Sequence, residues 1–111
     1  MASTFKNAAV AVGTSTTTVY TVPSSTTAVI HAIHLANIDG TNSVKVDVTW
    51  VDTSATATWT LLKDAPLPAG STLSFDKPVN LEATDVLKAE ASAAGDVHCT
   101  VAVLELSLIH I

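Results

Sequence analysis

Arginine is missing from this chain of 111 residues. That removes the planar guanidinium fork with which proteins most often grip phosphates and nucleic-acid backbones. With a net charge of −5, nothing basic replaces it, so no nucleic-acid partner is expected. Cysteine is nearly absent as well. Cys99 stands alone, which excludes an internal disulfide and a thiolate zinc cluster. It lies in an apolar run, where a free thiol behaves as a small buried hydrophobe. No apolar stretch has the length of a membrane-spanning helix, and no membrane partner is expected. The N-terminal stretch, with a few apolar residues and one lysine, makes a poor signal peptide. The glycines are scattered singly, so no loop can cradle a phosphate. The serines sit in turns without the Gly-x-Ser-x-Gly elbow of a nucleophile. Neither an enzyme nor a cofactor is expected.

What the chain has instead is threonine, alanine, valine and serine in alternation. The organising stretch is Thr16 to Asp39, two strands joined by a corner. Thr16 to Val22 is almost wholly β-branched or aromatic, and Pro23 then ends any ladder. Ala28 to Ile38 offers two largely apolar faces, with Val29, His31, Ile33 and Leu35 on one and Ile30, Ala32, His34, Ala36 and Ile38 on the other. Asp39-Gly40 supplies the next turn. Val44, Val46, Val48 and Trp50 share a face, opposed by Lys45, Asp47 and Thr49. Beyond Asp52, Ala57, Trp59 and Leu61 answer them, with Thr56, Thr58 and Thr60 outward. Trp50 and Trp59 are therefore expected to form the largest block of core. Lys63 to Gly70, stiffened by Pro66 and Pro68, reads as the longest loop. Short strands follow at Ser71–Phe75 and Val79–Leu81, then a closing hairpin from Val86 to Glu105 over Ala93-Ala94-Gly95.

No segment carries a helical period. The sum is an all-β chain, a single antiparallel β-sandwich of about seven or eight strands, with jelly-roll and immunoglobulin-like connectivity both open. Residues 1–15 are read as an N-terminal arm or first strand, and 16–105 as the sandwich domain. A chain this long can bury roughly 60–70% of its unfolded surface in one core. The last segment, 106–111, breaks the strand grammar. Its back-translation, CTG TCT CTT ATA CAC ATC, matches a transposon-end sequencing adapter. It is therefore expected to be a non-native tail, and His110 carries no functional weight.

The titratable residues were weighed for metal and acid–base chemistry. His31 and His34, three apart in a strand, are expected on opposite faces and so cannot share a metal. His34 and His98 can meet across strands but lack a third ligand. Glu82 with Asp85, and Asp64 with Asp76, are loop carboxylates without the dense spacing of a calcium loop. Asp47 and Asp52 fall on opposite faces by parity. No metal site is expected. The outward polar rows, Lys45, Asp47, Thr49, Thr56, Thr58 and Thr60, are the expected contact surface, being flat and weakly charged.

The run Thr17-Thr18-Val19-Tyr20-Thr21-Val22-Pro23, followed by Ala28-Val29-Ile30 and Leu35-Ala36-Asn37, resembles the opening of small virion structural proteins of tailed bacteriophages. The segment Leu81 to Leu87 with the hairpin after it is similar to their closing part. The chain departs in Ser24-Ser25, where an Ala-Gly pair is common in that group. The resemblance implies a non-enzymatic structural protein that decorates or cements a capsid or forms part of a tail or fibre. It implies other virion proteins as partners, a homo-oligomer (a trimer by analogy), and assembly in the bacterial host cytoplasm into the virion. The competing reading is a carbohydrate- or receptor-binding module. Tyr20 would be its stacking aromatic and the Pro66–Gly70 loop its rim.

Overall fold

The computed structural model describes residues 3–107. Among them there are nine strands and no helix: β1 (Ser3–Val12), β2 (Thr17–Thr21), β3 (Thr26–Asn37), β4 (Val44–Asp52), β5 (Ala57–Leu67), β6 (Thr72–Phe75), β7 (Val79–Leu81), β8 (Val86–Ala91) and β9 (Val97–Ser107). The strands pair in a nested series. β4 pairs with β5, β3 with β6 and β7, β2 with β8, and β1 with β9, each antiparallel. The chain is thus one long hairpin folded at the β4–β5 turn and rolled across itself. Rolling gives sheet A, in the order β1-β9-β3-β6 with β7 also on β3, and sheet B, in the order β2-β8-β4-β5. This is jelly-roll connectivity. The immunoglobulin alternative, which divides its strands as ABED and CFG, does not fit.

Alternation explains why the two sheets close on each other. Val97, Cys99, Val101 and Val103 of β9 face Val44, Val46 and Val48 of β4 and Leu87 and Ala89 of β8 across a core from which water is excluded. At about 25 cal/mol per Å² of apolar surface buried, these branched side chains supply the main stabilisation. Cys99 is one of them, and burial pushes its thiol up to about 11. It is core, not a nucleophile.

Three departures from strict alternation change the reading of the sequence. First, β3 carries a bulge. Ile30 pairs with Val103 but Ala32 with Ala102, so His31 is an extra residue. The inward set is therefore Ala28, Ile30, Ile33 and Leu35, and both His31 and His34 point outward. Their expected placement on opposite faces is corrected by this single residue. Second, β5 runs on to Leu67 through the segment expected to be a loop. β5 is an edge strand, where Pro66 can sit opposite Lys45 without removing a ladder bond. Bulges near Asp64 and Leu61 absorb the irregularity; Asp64 takes a φ of 49° and its amide donates to Asp47 Oδ1 at 2.6 Å. Third, Trp50 and Trp59 are directly paired, yet Trp59 is 52% exposed, which corrects the expectation that both form the largest block of core. Trp59 sits on the outermost strand of sheet B, two rows from the last pair of the hairpin. Trp50 alone packs against the core.

Thr56 closes the β4–β5 hairpin with a φ of 53°. A β-branched residue pays steric strain there that glycine avoids. Thr56→Gly is expected to stabilise the fold by about 0.5 kcal/mol, read as a higher urea midpoint with an unchanged slope. A lower midpoint would show that the turn is not left-handed in solution.

Candidate functional site

Two outer sheet faces and three polar clasps are the features that could serve function. On the outer face of sheet B, β4 contributes Lys45, Asp47 and Thr49, and β5 contributes Thr58 and Thr60, with Thr49 opposite Thr60 and Val51 opposite Thr58. Lys45, Thr58 and Thr60 are exposed; Asp47 and Thr49 are half-buried. Thr56 lies in the turn rather than in this row. Asp47 is engaged locally, holding the Asp64 amide and, at 3.6 Å, the ammonium of Lys63. Across the ladder it faces Glu90, whose carboxylate accepts a hydrogen bond from Thr16 at 3.0 Å. This face is polar and mixed in charge.

The outer face of sheet A is different in kind. Its rows run across β1, β9 and β3 as Phe5, Leu104 and Val29; Asn7, Ala102 and Ala32; Ala9, Thr100 and His34; and Ala11, His98 and Ala36. β6 adds Ser74 beside His34 and Thr72 beside Ala36, and β7 adds Asn80 beside Val29. Phe5 is 78% exposed, and its ring lies 6.1 Å from that of His31, centre to centre. His34 Nδ1 meets Ser74 Oγ at 2.9 Å. The outer positions His98, Thr100 and Ala102 were legible from alternation. The face as a whole was not, because strict alternation puts only one of His31 and His34 on it and the bulge adds the other.

One clasp gathers the loop end of the sandwich. Asp85 is wholly buried, and its carboxylate accepts from Trp50 Nε1 (3.1 Å), the Thr53 amide (3.2 Å), the Thr53 hydroxyl (3.3 Å) and the Glu82 amide (2.9 Å). Carboxylate oxygens of Asp52, Glu82 and Asp85 come within 4.8 Å of one another. Both oxygens of Asp85 are already saturated by donors, so the group reads as a structural staple joining β4 to the β7–β8 loop. Asp64 and Asp76 are not part of it.

The second clasp crosses between the sheets. The Tyr20 hydroxyl of β2 donates to Glu105 Oε2 of β9, and Lys6 Nζ of β1 lies 2.9 Å from Glu105 Oε1. Burial works against the charged form of Glu105, but the Tyr20 hydrogen bond and the Lys6 ammonium outweigh it and hold the carboxyl below its usual range. Burial, then the bond to and charge of Glu105, push the Tyr20 phenol well above its usual range. Tyr20 is thus committed to structure and is not a free stacking platform. Tyr20→Phe is expected to cost about 1.5 kcal/mol at pH 7. A depressed carboxyl stabilises above its unfolded value and loses that as pH falls through the folded one. A raised phenol stabilises below its unfolded value and loses that as pH rises. The gap between wild type and Tyr20→Phe should therefore be full from about pH 5 to 10 and shrink on either side. Coincident stabilities of the two chains across that range, from urea curves at each pH, would show the bond to be worthless.

At the opposite end, Asn37 is buried and satisfied on both sides of its amide. Nδ2 donates to the carbonyls of Asn42 (2.9 Å) and Leu67 (3.1 Å), and Oδ1 accepts from the Asp39 amide (2.9 Å). The Leu35-Ala36-Asn37 ending of β3 is thereby explained: it ties the β3–β4 loop to the end of β5. Of segment 106–111, Leu106 and Ser107 continue β9, pairing with Ser3, Thr27 and Thr26. His110 lies outside the described residues.

Fold and faces together define a jelly-roll sandwich with a saturated interior and two broad outer faces. The fold is similar to that of a chain in the acidic stable capsid structure of the Helicobacter pylori bacteriophage KHP30, with a TM-score of 0.61 and 19% identity over 100% of this chain and 92% of that one. It is similar also to a chain of the Bacillus endospore appendages, described as a family of disulfide-linked pili (TM-score 0.58, 14% identity, 97% and 88% coverage). Eiger TNF from S. frugiperda shares it more loosely, with a TM-score of 0.50 and 14% identity over 85% of this chain and 67% of that one. At these identities the likeness is one of fold. No protein-family model matches the chain, and no curated protein matches its sequence.

Proposed function

We propose that this chain is a non-enzymatic structural subunit of a tailed-phage virion, which decorates or cements the capsid or contributes to a tail or fibre. The observation that carries the reading is the near end-to-end match to a phage-capsid chain, joined to the opening motif from Thr17 to Asn37. Its partners would be copies of itself and the major capsid or tail proteins, and its site of assembly the bacterial cytoplasm. The polar row of Lys45, Asp47, Thr49, Thr58 and Thr60, with Thr56 at its end, is one contact surface for them. The pilus likeness is less apt. Those pili are disulfide-linked, whereas Cys99, the sole thiol here, is buried.

A carbohydrate-binding module is the second reading. Half-exposed Trp59, not Tyr20, is the aromatic that favours it. The two readings separate by experiment. Labelled recombinant chain should co-sediment with phage particles banded from bacteria that carry the gene, and should give no signal on a glycan array. A glycan signal abolished by Trp59→Ala, with the label left at the top of the gradient, would reverse the choice.

A further inference from the structure

We infer that the outer face of sheet A packs against the same face of a second copy of this chain. The inference rests on the virion-subunit reading and names its partner. Among the described residues, no Asp, Glu or Lys stands at an outward ladder position of β1, β9, β3, β6 or β7. Free surfaces usually carry charges at about a quarter to a third of their positions. Despite its net charge of −5, the chain places no carboxylate at these ladder positions among the described residues.

Size and texture suit a second copy. Strands of ten to twelve residues, rising ~3.3 Å per residue and spaced ~4.8 Å apart, make a face of roughly 600–700 Å². Two such faces bury on the order of 1,300 Å² together, within the range of specific interfaces. Most of its side chains are small, so two sheets can approach to the usual ~10 Å. Phe5, exposed on the edge strand, is the large apolar group that such a contact would bury. A charged partner would find no counter-charge here. An identical face brings no like charges into opposition at neutral pH.

The test is the solution mass of the full chain, by light scattering behind a sizing column, at pH 7.5. Wild type should run at twice the mass of a single chain. Ala102→Glu and Phe5→Ser, both at exposed positions, should run as single chains, with the dissociation constant raised roughly 100-fold or more for the buried charge of Ala102→Glu. A wild type that is monomeric, or an Ala102→Glu chain that stays associated, would overturn the contact. If Thr60→Glu alone breaks the association, the contact lies on sheet B. The virion reading would then stand while this inference falls.

Discussion

Asp85→Ala is expected to cost about 3–5 kcal/mol, more than any other single side-chain change away from the apolar core. The reason is what it leaves behind. Four hydrogen bonds converge on a carboxylate with no solvent contact. Truncation leaves the part-buried Trp50 indole and the amides of Thr53 and Glu82 without their acceptor. Each buried donor left unpaired costs about 1–3 kcal/mol. The same residue also sets the loop: the Asp85 carbonyl accepts from the Val22 amide at 2.9 Å, and the Thr84 amide donates to the Val22 carbonyl at 3.0 Å, so β2, β4 and the β7–β8 loop loosen together. For a domain of this size, 1 kcal/mol moves the melting temperature by about 4–8 °C, so a fall of roughly 15–25 °C is expected. Asp85→Asn should recover only part of it, since an amide presents one acceptor oxygen and turns donors toward donors. Tryptophan fluorescence during melting reports the outcome, because Trp50 is one of the donors. A variant within 1 kcal/mol of wild type would mean that the staple is not formed.

Single-residue deletions in β3 should give opposite results three positions apart. Removing His31 deletes the bulge and leaves Val29 outward, Ile30 inward, Ala32 outward and Ile33 inward, the same faces as before. The strand stays in phase with β9, and the cost should be about 1–2 kcal/mol, from lost local twist and a shortened link toward β6. Removing His34 has no such remedy. It moves Leu35 and Asn37 to the solvent face or reverses everything before them, since a one-residue slip inverts the whole pattern. Burying a leucine is worth about 1.5–3 kcal/mol, and the Asn37 clasp goes with it. Against a total stability of about 5–15 kcal/mol, that deletion should abolish folding. Circular dichroism and urea melts of the two deletions settle the register. Two unfolded chains, or two folded ones, would refute the bulge.

That bulge also marks where the sequence stopped being readable. Period two placed the inner faces of β4 and β9, because those runs alternate without interruption. It could not show that His31 is a supernumerary residue, since β3 is apolar on both faces and either phase looks acceptable. Trp59 illustrates a second limit. Alternation gives the direction a side chain points, but whether the opposite sheet reaches far enough to cover it depends on strand offset. The Lys63–Leu67 segment reads as loop from its prolines, and only its place at a sheet edge makes it a strand. The hydrogen bonds of the clasps on Asp85, Glu105 and Asn37 join residues 2 to 85 positions apart, and the longer ones exist only once the hairpin has rolled. Choosing jelly-roll over immunoglobulin connectivity needed the nested pairing itself. The charge-free face of sheet A follows from the same roll, which brings Phe5, Leu104 and Val29 side by side.

The most direct measurement of the central claim is peptide mass spectrometry of phage particles banded by density from bacteria that carry the gene. Without arginine, trypsin cuts this chain only at lysine, and the fragment from Val46 to Lys63 contains both tryptophans and identifies it. A virion subunit predicts that fragment in the particle band, at copy numbers in simple proportion to the major capsid protein. Its absence from the band, with abundance in the unsedimented lysate, would contradict the account.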